Sequence, residues 1–211
     1  AGALLESTDR AEREEVYQTM VQKRLTIKNE LNDLYTSLIE KRHQVALNAG
    51  FENYRDYAFA SLGRFDYGPA ECFEFHEAVA ETVVPLLNEA AAQRKEEMKL
   101  DSLRPWDKAV DPLGRGPLKP FETGEELLTK TIGVFDEMDP FLGNCLKEMV
   151  TLDRFDLDSR KGKNPGGYNY PLEETGYPFI FMNAAGTVRD VVTLLHEGGH
   201  AVHSILTKDL A

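Results

Sequence analysis

Residues 196–200 read His-Glu-Gly-Gly-His, the H-E-x-x-H pattern. On a helix, positions i and i+4 lie one above the other, so the imidazoles of His196 and His200 can converge on one zinc ion. Glu197 stands about 100° round the helix from His196. From there its carboxylate can reach a water on the metal without being a ligand itself. It can take the proton of that water during attack and pass it to a leaving amine. These residue types at this spacing point to metal-assisted hydrolysis, with His196 and His200 as candidate ligands and Glu197 as candidate base.

Gly198 and Gly199 sharpen the expectation. Each glycine inside a helix costs about 1 kcal/mol relative to alanine, so the pair weakens the helix where it should hold ligands. Close approach of a neighbouring backbone or of a substrate is the expected compensation. His203 shares the face of His196 and His200, but it lies about 10.5 Å along the axis from His196. That span is long for one tetrahedral zinc, and a supporting or packing role is expected instead. The metzincin continuation requires Gly and His three and six residues after the second ligand. Here those positions are His203 and Leu206. The inverted H-x-x-E-H order is also absent. What remains is a class whose third ligand is a glutamate farther along the chain. After His200 the only acid is Asp209, so the third ligand lies outside this sequence unless an upstream carboxylate supplies it.

The elements around the motif follow from the apolar pattern. Gly186-Thr187 marks the start of a helix over about 187–208, with Val188, Val191, Val192 and Leu195 on its apolar side. Before it, residues 177–183 (YPFIFMN) form an apolar run of strand length, and Pro178 favours an edge strand. Residues 158–167 are a polar, glycine-rich loop, and 152–157 fit a short strand. The region before residue 150 reads as helix. Ile27, Leu31, Leu34 and Leu38 recur at helical spacing in one long helix from about residue 8 to Asn48. A shorter helix is expected over 51–62. Gly68-Pro69 opens another to about Lys99, with a kink at Pro85. Thr123-x-x-Glu126 is a capping box for a helix through Phe135, and Pro140 starts one more to about Val150.

Composition narrows the class. The 211 residues carry 24 basic and 36 acidic side chains, a net charge of −12. This argues against a nucleic-acid partner or an anionic membrane, which would need a basic face. No stretch approaches the roughly 18 apolar residues of a membrane span. Cys72 and Cys145 are the only cysteines. Two scattered thiols give no disulfide framework and suit a reducing compartment, so a cytoplasmic location is expected. Nothing in the sequence indicates the oligomeric state.

The motif and its surroundings resemble a known family. His196-Glu197-Gly198-Gly199-His200-Ala201, preceded by Phe181-Met182-Asn183 and Thr187-Val188-Arg189-Asp190-Val191, is similar to oligoendopeptidase F. This is the bacterial branch of the thimet-oligopeptidase-like zinc metallopeptidases. The loop Asp158-Ser159-Arg160-Lys161-Gly162-Lys163, followed by Pro165-Gly166-Gly167-Tyr168, resembles the family's Gly-Lys…Gly-Gly/Ala-Tyr segment. The likeness is close over roughly residues 152–210 and general in character before them. It implies a mainly α, multi-helix, zincin-type metallopeptidase catalytic domain with a small edge β-sheet near the zinc helix. It also implies one zinc ion and short peptide substrates cleaved in a deep channel.

Residue by residue, His196 and His200 correspond to zinc ligands and Glu197 to the catalytic base. Residues 179–183 correspond to the edge strand that pairs with substrate backbone, which puts Phe181 and Asn183 at the substrate. Gly166, Gly167 and Tyr168 would line the cleft on a flexible loop. Family members continue past the zinc helix, with the third-ligand glutamate and with His and Tyr residues that stabilise the oxyanion. On that reading residues 1–211 are an internal piece of one catalytic domain. Its helical region is 1–150, and 151–211 hold the substrate loop, edge strand and zinc helix. The competing expectation is a non-catalytic helical binding or scaffold piece that carries an incomplete metal site.

Overall fold

The structure, a computed structural model, describes residues 2–164 and 166–210. Pro165, part of the glycine-loop resemblance, lies outside the described residues. Among the described residues, seven α-helices and three short strands fall into two units, 1–116 and 117–211. The boundary falls well before residue 150, so the two helices over 124–151 belong with the sheet and the zinc-motif helix.

In the first unit Asp9 starts α1 (Arg10–Leu25) by accepting from the amides of Ala11 and Glu12. The long helix expected to reach Asn48 is in fact two. The chain turns at Thr26 and Ile27 before α2 (Lys28–Asn48). Thr26 Oγ1 donates to Lys23 O at 2.8 Å and Ile27 has a ψ of 14°. Two β-branched residues in succession hold helical geometry poorly, and a threonine hydroxyl competes for the preceding turn. Asn53 caps α3 (Tyr54–Ser61), and α4 (Pro69–Glu97) continues through Pro85 as one helix.

A charged knot ties α1 and α4 to the loop around Asp107. Asp107, fully buried, accepts from Arg10 at 3.0 and 2.9 Å and from Arg13 at 3.1 Å. Burial alone pushes its carboxyl up. The hydrogen bonds from Arg10, the Arg104 amide and Arg13 outweigh that and hold it at about 2. Arg94 adds bonds to the carbonyls of Asp107 and Val110, which ties α4 to the same loop.

The second unit contains α5 (Gly124–Met138), α6 (Pro140–Thr151), β1 (Phe155–Asp158), β2 (Tyr168–Tyr170), β3 (Phe179–Ala184) and α7 (Val188–Thr207). The capping box at α5 is only half formed. Thr123 Oγ1 accepts from the Glu126 amide at 3.1 Å, but Glu126 accepts from the Glu122 amide instead of Thr123's own. Alternate residues Ile180, Met182 and Ala184 of β3 face inward with Leu127, Leu146 and Leu194.

The sheet corrects one expectation: β3 is central, not an edge. It pairs with β1 in parallel and with β2 antiparallel, in the order β1-β3-β2. Pro178 precedes the first strand residue, where its missing N–H costs the ladder nothing. β2 emerges from the end of the glycine loop, where no strand was expected. It reaches only from Tyr168, opposite Phe181, to Tyr170, opposite Phe179.

Candidate functional site

α7 begins with a reciprocal cap. Thr187 accepts from the Asp190 amide, and Asp190 Oδ2 accepts from the amides of Ala185 and Thr187 at 3.0 and 2.8 Å. This fixes the end of β3 to the start of α7 and so sets the height of the next two turns. Leu194, Gly198, Ala201 and Val202 bury one side of α7, while His196, Gly199, His200 and His203 are exposed on the other. Glu197 lies on the boundary at 9% exposure.

The imidazoles meet as the spacing requires. His196 Nε2 and His200 Nε2 are 3.0 Å apart, and the rings stand at 87° to each other. Two nitrogens bound at about 2.0 Å to one tetrahedral ion stand about 3.3 Å apart, so this donor pair fits zinc. Among the described residues, no group of three or more His, Cys, Asp or Glu side chains comes together as a metal site.

The two glycines of the motif separate in their reasons. A Cβ on Gly198 would stand 3.1 Å from Phe135 Cζ, so this glycine lets α5 approach α7 through a ring. Gly199 faces open space.

A cleft of about 500 Å³ opens beside the motif, and Gly166, Gly167, Asn183, His196 and Glu197 line it together. Gly167 is wedged in place: a Cβ there would lie 2.9 Å from Thr193 Cγ2 and 3.2 Å from Met182 Cγ. Gly166 has a φ of +104°, which side chains rarely adopt. Beyond Phe181, β2 no longer stands opposite β3, and Met182 and Asn183 form part of the cleft wall. The Asn183 side-chain amide donates to Asn164 O at 2.8 Å and to Lys163 O at 3.4 Å, which holds the loop.

Tyr168 and Phe181 are not among the cleft residues. They stack on each other at 5.0 Å and 13°. Phe181 alternates with the buried Ile180 and Met182, so both rings lie on the sheet face away from the core. His203 lines a separate depression with Pro171, Leu172 and Thr207.

Sequence reasoning missed two supports of the site. One is the Asp190 cap, whose signal is the Thr-x-x-Asp spacing at 187–190. The other is Asp156 on β1. It accepts from Arg160 at 2.6 and 2.7 Å and from Lys163 at 3.0 Å. Hydrogen bonds from Arg160, then Lys163, hold its carboxyl at about 2 despite partial burial.

Comparison with known proteins places the chain among peptidases by family and fold. A family model described as Peptidase family M3 matches residues 3–210. Oligopeptidase PepF of Bacillus subtilis is 26% identical over 97% of this chain and 29% of its own length. Group B oligopeptidase PepB of Streptococcus agalactiae is 26% identical over 98% of this chain and 33% of its own. The solved structure of PZ peptidase A with an inhibitor superposes with a TM-score of 0.91 and 27% identity. The match covers 98% of this chain and 36% of that one. The chain thus spans about a third of the length of the curated relatives it matches.

Proposed function

The chain belongs to peptidase family M3, and on that premise we propose that it carries part of the catalytic site of a zinc-dependent oligopeptidase acting on short peptides. The observation that carries this reading is the convergence of His196 and His200 Nε2, 3.0 Å apart, on a helix whose Glu197 lines the same cleft. Zinc, when held by the two imidazoles and a further donor, supplies Lewis-acid polarisation of the scissile carbonyl.

The chain's own residues do the rest. Glu197, largely withdrawn from solvent, accepts a proton from the attacking water and returns it to the nitrogen of the departing amine. The α5 ring behind Gly198 and the Asp190 cap keep α7 rigid, so the carboxylate and the imidazoles stay in register. Gly166 and Gly167 present bare backbone to the peptide from one wall, and Asn183 borders it from the other. The stretch of β3 past Phe181, which β2 leaves open, offers main-chain groups for pairing with an extended substrate. Tyr168 and Phe181 support this wall from behind.

No helix among the described residues is long and apolar enough to cross a membrane. A cytoplasmic location is part of the same proposal and rests on the free thiols of Cys72 and Cys145.

The test uses the full-length protein and an internally quenched short peptide. Chelation should abolish hydrolysis and zinc should restore it, and His200→Ala should lose bound zinc and activity together. Hydrolysis that survives both chelation and His200→Ala would contradict the reading.

A further inference from the structure

Lys163 buries its charged side chain within the second unit. Its side chain is 1% exposed, yet it sits in a glycine-rich surface loop. Its ammonium donates to Asp158 O at 2.7 Å and to Asp156 O and Oδ1 at 3.0 Å each. It also stands over the Phe181 ring, 4.6 Å from the centroid, and that ring stacks on Tyr168. One side chain therefore touches β1 through two carbonyls and β3 through an aromatic face, and reaches β2 through the stack.

Charge neutrality does not explain it. Asp156 already has a bidentate partner in Arg160, which reaches it from the solvent side. Burying an ammonium is costly unless every proton finds an acceptor, and an apolar side chain of similar volume would fill the space at less cost. What a buried lysine adds is a fixed geometry. Its backbone, with that of Asn164, is held from the other side by the Asn183 amide. A few residues on, Gly167 is wedged against Thr193, one turn before His196 and Glu197 on α7.

We propose that Lys163 is a positioning residue for the cleft, pinning residues 159–164 so that Gly166 and Gly167 stand at a fixed height opposite His196 and Glu197. It touches no substrate. It sets how well the wall receives a peptide backbone and leaves the proton chemistry of Glu197 alone. This rests on the peptidase reading above.

The test is made on the full-length protein with an internally quenched short peptide. Lys163→Met keeps the stem and removes the ammonium. The expected result is a rise in KM of about tenfold with kcat held within about threefold, the pattern of lost uniform binding. Hydrogen exchange should show protection lost over 159–168 and retained in α5 and α7.

A purely structural lysine would instead lower the fraction of active enzyme, so kcat would fall at unchanged KM. That result, or an unchanged KM, overturns the proposal. If Lys163→Met does not fold, Asp156→Asn is the milder probe, because it leaves both carbonyl acceptors in place. A rise in KM of about threefold at constant kcat is then expected, and an unchanged KM overturns the proposal. Absence of hydrolysis by the wild type would sink the peptidase reading by itself. In that case exchange decides, and unaltered protection over 159–168 in the variant overturns the role of Lys163.

Discussion

The two units are held by different forces. Residues 117–211 bury Leu146, Met149, Ile180 and Leu194 completely. In 1–116 the helices turn large apolar side chains outward: Leu34 and Tyr35 on α2 are 56% and 60% exposed, and Leu86 and Leu87 on α4 are 61% and 63%. In that unit Asp107 and the arginines around it tie α1 and α4 to the 104–110 loop, beside the buried Ala46, Trp106 and Val110. The candidate site residues of this chain sit in the unit that has its own apolar core, as a site needing fixed geometry should.

The largest effect is expected at the charged knot. Asp107→Asn leaves Arg13 buried without its counter-charge, and breaking such a pair costs about 3–5 kcal/mol. Hydrogen exchange should show protection falling across α1 and the 104–110 loop while α5 to α7 keep theirs. A uniform loss in both units would break the comparison.

Leu146→Ala probes the other side, with about 2–5 kcal/mol expected for a fully buried leucine. Here protection should fall in 117–211 and hold in 1–116.

Acid should affect both units through their carboxylates. Asp107 and Asp156 are each held at about 2, below their ordinary 3.8. A depressed carboxyl stabilises fully above the unfolded value and loses that contribution as pH falls through the folded one. The window is therefore about pH 4 down to 2, and Asp156→Asn should remove the acid response of the 159–167 loop alone. Amide exchange at pH 5 and at pH 2.5 measures this.

The smallest effect is expected at Leu34→Gln, an exposed position, where this chain should change by no more than about 0.5 kcal/mol in thermal unfolding. A large loss would mean that the α2 face is covered.

Much of this was legible from local rules. The i, i+4 histidines needed only helical geometry, and their convergence follows wherever α7 forms. The long helices declared themselves by period, but the same period could not say what covers Leu34 or Leu38, because amphipathicity names a face and no partner. The break at Thr26-Ile27 was weakly written, since β-branched pairs occur within helices too.

β3 was placed at the edge because Pro178 was read as a strand residue, although it sits one residue outside the strand. Tyr168 and Phe181 stack on the sheet face away from the core, because strand side chains alternate and a shift of one residue decides which face a ring takes. Lys163 was legible only as a loop lysine. Its burial depends on how the turn from Asp158 to Gly167 closes, which no local pattern specifies.

The central claim is that Glu197 moves the proton. In the full-length protein Glu197→Gln keeps the size of the side chain and removes the base. We expect kcat/KM for a short peptide to fall by about 10²–10⁴, with bound zinc and thermal midpoint unchanged. Hydrolysis at the wild-type rate by a zinc-loaded Glu197→Gln protein would contradict the account.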